Sequence, residues 1–135
     1  MEKEFDPKIV CAYWLTEAKE ALQVADYLME KKDYSYALFF GHLALEKILK
    51  SLNVFKVNQH APLMHNLIRL AEEAGLALEE RQMEVLAAAS TFNIESRYPD
   101  IKRSFRALCT MEFADEKIKQ IKEMFQWLRM QIPSN

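Results

Sequence analysis

Apolar residues return at steps of three and four through the first thirty positions: Val10, Trp14, Ala18, Ala21, Ala25 and Leu28. That period places them on one helical face, with Glu17, Lys19, Glu20 and Gln23 on the other. Asp6 followed by Pro7 marks the start, a side-chain acceptor and then a residue whose missing N–H costs nothing there. The pattern predicts an end near Lys31 or Lys32.

Asp33 is placed to cap a second helix, expected to run to about Asn53. Its first half, Tyr34 to Leu45, has no Lys, Arg, Asp or Glu, and a helix apolar nearly all round must be covered on more than one side. It is therefore either the central helix of a bundle or one that faces both core and partner. Gly41 costs about 1 kcal/mol of helix propensity relative to alanine, which implies the close approach of a neighbouring helix. Glu46 and Lys50 are set for an i,i+4 pair, and Lys47 is read as the return of solvent.

Residues 54–64 read as a connector. A short helix is expected from about His65 to Ala74, with Leu67, Leu70 and Ala71 inward and Gly75 closing it. Leu78 to Phe92 predicts a fourth helix, with Ala87, Ala88, Ala89 and Ser90 permitting tight packing. Asn93 to Leu108 is expected to be irregular at least in part, because Pro99 disfavours helix at Tyr98. Thr110 opens a last helix with the stripe Ile118, Ile121, Phe125, Leu128 and Ile132, stopped by Pro133. The expectation is one all-α domain over residues 1–135, a bundle of four main helices and one short one.

Composition agrees. Two glycines and four prolines in 135 residues are too few turn residues for a sheet protein of this size. The net charge of −2 argues against a uniformly basic surface that coats nucleic acid, though local patches remain open. Cys11 and Cys109 lack metal-ligand spacing and read as reduced, half-buried thiols. The opening MEKEFDPK has no apolar signal region, and no apolar run reaches the roughly 20 residues of a membrane span. A cytoplasmic protein, without a membrane partner, is expected.

Four segments in order then resemble the HEPN family. They are WLTEAKEALQVADYL from Trp14, the run YSYALFFGHLALEKILKSLNV with Ala44, Glu46, Lys47, Leu49 and Lys50, the His65-x-Leu67 pair, and Arg97-Tyr98-Pro99-Asp100. The resemblance covers about residues 10–132. It implies an up-and-down helical bundle that forms a homodimer. It also implies a role in RNA or nucleotide biology, often beside a small partner nucleotidyltransferase as in a toxin–antitoxin-like pair, with no DNA expected.

Many members of that family are metal-independent RNases with an R-x(4–6)-H motif, in which histidine moves the 2′-hydroxyl proton and arginine steadies the phosphate. Counting from Arg97, the histidine position holds Lys102, Arg103 or Ser104. No other arginine stands at the needed distance before His42, His60 or His65. No catalytic residue is therefore assigned, and cleavage would need a rearranged site around Arg97 with a histidine from elsewhere in the dimer. The candidate ligand residues are Arg97, Tyr98, Asp100, Lys102 and Arg103, joined by Arg106 as a local positive excess. The alternative is an Arg97–Asp100 ion pair that fixes a loop against which Tyr98 packs. His42, Glu46, Lys47 and His65 carry the family pattern, with a structural role at least as open as ligand contact. A di-metal carboxylate site would need Glu three residues before histidine, where Phe39, Val57 and Pro62 stand. No metal and no cofactor is implied.

Overall fold

A computed structural model describes residues 5–133; the first four positions of MEKEFDPK lie outside the described residues. Within them the chain is all helical: α1 (Pro7–Glu30), α2 (Tyr34–Val57), α3 (Leu67–Glu73), α4 (Glu80–Ser90), α5 (Pro99–Leu108) and α6 (Met111–Met130), with one 3-10 turn at Ile94–Ser96. None of these helices is long and apolar enough to cross a membrane.

α1 and α2 form an antiparallel hairpin. A short turn through Lys31, Lys32 and Asp33 joins them at one end, and at the other Ser51 Oγ donates to the Cys11 carbonyl at 2.8 Å. Ala18, Ala21 and Ala25 are the buried face of α1, small enough to bring the axes together. α6 lies on α2 where Gly41 stands: a Cβ there would come within 2.8 Å of Ile121 Cδ1. The missing side chain is thus the contact itself, which explains a glycine in mid-helix. Lys122 of α6 pairs with Asp26 of α1 at 2.6 Å.

Several boundaries differ from the sequence reading, including α4, which spans Glu80–Ser90 rather than Leu78 to Phe92. α2 runs on to Val57 and ends at Asn58 in the left-handed conformation, φ 57°, so the connector is shorter than 54–64. α3 starts after Asn66, whose side chain accepts from the Arg69 N–H at 3.1 Å, leaving His65 outside the helix. The largest correction is α5. Pro99 does keep Tyr98 extended, with ψ 156°, yet the same proline then occupies the first helical turn, where it is tolerated. Pro99–Leu108 is a sixth helix rather than an irregular stretch.

Solvent also fails to return along α2 after Leu45. Glu46, Lys50, Ser51 and Asn53 are all buried, and Lys47 is half-buried, because α1 and α3 cover both flanks. Asn53 Nδ2 donates to the Leu70 carbonyl at 2.7 Å. Beside the α6 stripe, Met124 is buried, Trp127 half-buried and Met130 exposed. Cys11 is half-buried but Cys109 is buried, and neither forms a disulfide.

Thr110 caps α6 as its position predicts, its Oγ1 accepting from the Phe113 N–H at 3.2 Å. Thr110→Ala should cost about 1 kcal/mol in urea unfolding, with the slope of the transition unchanged.

Candidate functional site

α5 has no buried residue. Tyr98, Ile101, Phe105 and Leu108 share one side at steps of three and four. Phe105 is half-buried against Phe92, ring centroids 5.5 Å apart, while Tyr98 is 80% exposed and Leu108 56%. Lys102, Arg106 and Arg103 fall on the adjoining arc, and Arg97 precedes the helix. This is an amphipathic basic helix held mainly at one edge. Lys102 reaches Glu95 at 3.9 Å, with both side chains substantially exposed; a pair so placed contributes little.

The structural alternative for this segment is not what forms. No ion pair joins Arg97 to Asp100 among the described residues, and the Tyr98 ring is out in solvent. Asp100 sits in the first turn of α5, where its charge complements the helix dipole. Ser104 Oγ donates to the Asp100 backbone carbonyl at 3.0 Å. Arg97, Arg103 and Arg106 are therefore exposed cations with no carboxylate partner among the described residues. A row of such cations beside an aromatic ring suits a phosphate-bearing ligand with a flat base.

The family-pattern residues gather elsewhere. Glu46 is 5% exposed and receives three bases. Its Oε1 accepts from His65 Nδ1–H at 3.0 Å and its Oε2 from Lys50 Nζ at 3.2 Å. His42 Nε2 faces Oε1 at 3.4 Å, short of hydrogen-bond geometry. The other His42 nitrogen, Nδ1, lies 3.1 Å from the Ala89 carbonyl; a carbonyl only accepts, so Nδ1 carries a proton. Lys50 also lies over the Trp14 ring, 5.2 Å from its centroid.

Burial by itself would raise the Glu46 pKa. The contacts with His42, Lys50 and His65 outweigh it and hold the carboxyl at about 2. One carboxylate thus ties α2 to the segment before α3, while its partners Lys50 and His42 reach α1 and α4. His42, Glu46 and His65 are brought together, whereas Lys47 stands apart without an ion pair among the described residues. No hydrogen bond or ion pair among them links this group to Arg97 or α5.

A hollow of about 650 Å³ lies at the far end of the α1–α2 hairpin among Pro7, Cys11, Leu15, Phe55 and Ile132. It contains none of the residues singled out by the sequence as ligand-binding. A smaller cavity of about 350 Å³ does include one of the basic residues, Arg106, together with Lys31, Lys32 and Ser35. The sequence reading missed those three; the signal was a lysine pair directly before a helix start.

Comparison with known proteins decides the family. HEPN domains match over residues 11–131, nearly the whole described chain. The chain belongs to the HEPN domain family. This HEPN protein also superposes on the crystal structure of TT1696 from Thermus thermophilus with a TM-score of 0.75. The match covers 90% of this chain and 98% of that one at 21% identity, a likeness of fold alone. No curated protein matches the sequence.

Proposed function

We propose that this HEPN protein is a cytosolic, homodimeric binding module of up-and-down bundle topology. In this reading it takes a nucleotide or single-stranded RNA along α5 and performs no cleavage of its own. The observation that carries the reading is α5 itself: uncovered, with Arg97, Lys102, Arg103 and Arg106 beside an 80% exposed Tyr98. Exposed Ile101, Leu108 and Met111 adjoin these cations. Covering that apolar strip with a second copy would set two basic rows against each other and deepen the positive potential between them. The same face would serve a small nucleotidyltransferase.

The test is fluorescence anisotropy with a labelled hexaribonucleotide over a range of salt. Each phosphate contact removed should flatten the slope of log K against log salt by about 0.7. Arg97→Gln and Arg103→Gln should each weaken binding several-fold and flatten the slope; unchanged affinity in both would overturn the proposal. Light scattering should give twice the monomer mass.

A second reading rests on His65. Its ring is 70% exposed, yet Nδ1 is held by a buried carboxylate, an arrangement that orients an imidazole for acid–base work. An endoribonuclease with a rearranged site would draw its histidine from here. RNA cleavage in chelator that disappears in both Arg97→Ala and His65→Ala would favour it; equal cleavage by wild type and both variants would remove it.

A further inference from the structure

The cavity of about 350 Å³ lies between the α1–α2 turn and the end of α5. Its size is at the lower bound of small-ligand sites. Three cations from two elements line it: Lys31 and Lys32 from the turn, and Arg106 from α5. Asp33 is the opposing carboxylate, and no ion pair among the described residues draws off the three cations. Cys109 adds no charge, because burial raises its thiol pKa to about 11.

Two further features point to an anion. Ser35 lines the cavity and is only 4% exposed, yet its hydroxyl makes no hydrogen bond among the described residues. With no protein group taking it up, this hydroxyl is free to donate to an anion in the cavity. Around it α2 begins without a side-chain cap: Asp33 makes no capping hydrogen bond. The first backbone N–H groups of the 24-residue helix therefore lack partners within it, at the positive end of its dipole. The half-buried rings of Tyr34 and Tyr36 wall the same hollow.

We propose that this cavity is a phosphomonoester subsite, holding the terminal phosphate of a nucleotide or RNA end among Lys31, Lys32, Ser35 and Arg106. It deepens the reading of α5 and rests on it for the rest of the ligand. α5 is about 15 Å long, so a chain that starts at Arg106 passes Arg103 and Lys102 on its way to Arg97. A terminal phosphate carries more charge than an internal diester and has three oxygens to share among these donors. The site therefore selects ends over through-running strands.

The first measurement is an amide NMR titration with inorganic phosphate, using chloride at matched ionic strength as the control. Saturable shifts at Tyr34, Ser35 and Tyr36 are expected, lost in Arg106→Gln and Lys32→Gln and strengthened in Asp33→Asn. The second compares adenosine 5′-monophosphate with adenosine, and a 5′-phosphorylated hexaribonucleotide with its 5′-hydroxyl form. Charge-assisted donors should favour each phosphorylated ligand by about tenfold or more. Ser35→Ala should reduce that preference and Arg106→Gln abolish it, whereas Arg97→Gln weakens both RNA forms alike. Preference for the mononucleotide alone or for the RNA alone identifies the source of the phosphate, and either supports the site.

Phosphate that leaves these amides unmoved, or equal affinity for both members of each pair, overturns the subsite even if RNA still binds through Arg97. Phosphate that shifts them while no RNA binds leaves the subsite standing and removes the α5 reading instead.

Discussion

Glu46→Ala should destabilise the protein by about 3–5 kcal/mol, the usual result of removing one member of a buried charged pair. Lys50, 6% exposed, and His42, fully buried, would face each other's charge and dipole without the carboxylate between them. Glu46→Gln keeps the volume and one acceptor and should cost less. Lys50→Met, which removes the cation but keeps the stem over Trp14, should also cost less than the alanine change. The readout is urea unfolding at pH 7 for all three variants.

The same carboxylate sets an acid limit. Its pKa is about 2 in the folded protein against 4.5 for the ordinary group. A group whose folded pKa is depressed contributes stability that is fully present above its unfolded value and is lost as pH falls through the folded one. The Glu46 contribution, on the order of 3 kcal/mol, should therefore be intact above about pH 5 and decline between pH 4.5 and 2. Glu46→Gln should flatten the stability profile across that window. A variant as acid-sensitive as wild type would show that other carboxylates set the limit.

Leu45→Ala should cost about 2–5 kcal/mol. Leu45 is fully buried in the cluster that joins α1, α2 and α6, on a helix shielded round most of its circumference and so poorly able to collapse into a void. Tyr98→Ala provides the contrast. Its ring is 80% exposed, so thermal unfolding should shift by no more than surface substitutions usually give, about 0.5 kcal/mol, while RNA affinity drops. If Tyr98→Ala destabilised the protein as Leu45→Ala does, the ring would have a packing role and the open face of α5 would be misread.

The sequence by itself determined the helical class, the order of five of the six helices, their starts at Pro7 and Thr110, and the inward residues of α3 and α6; on α1 it marked Ala18, Ala21 and Ala25, while Cys11, Leu15, Leu22 and Met29 complete the face that packs on the core. These are local matters: capping chemistry acts within a turn, and burial needs only the three-and-four period. It also determined the HEPN resemblance and the absence of a histidine after Arg97, since motif spacing is linear. Pro99 could not be read the same way, because one residue can break a helix behind it and begin one ahead.

Only the tertiary structure decided which charges are buried. Glu46 and Lys50 carry the same i,i+4 signature whether they meet in water or under α1 and α3, and His65, beyond the end of α2, joins them through folding alone. Likewise Lys31, Lys32 and Ser35 meet Arg106 across more than half the chain, because the end of α5 lies against the α1–α2 turn. Periodicity gives each helix its inward face. Which neighbour closes over that face, and which charges it encloses, depends on contacts between segments far apart in sequence.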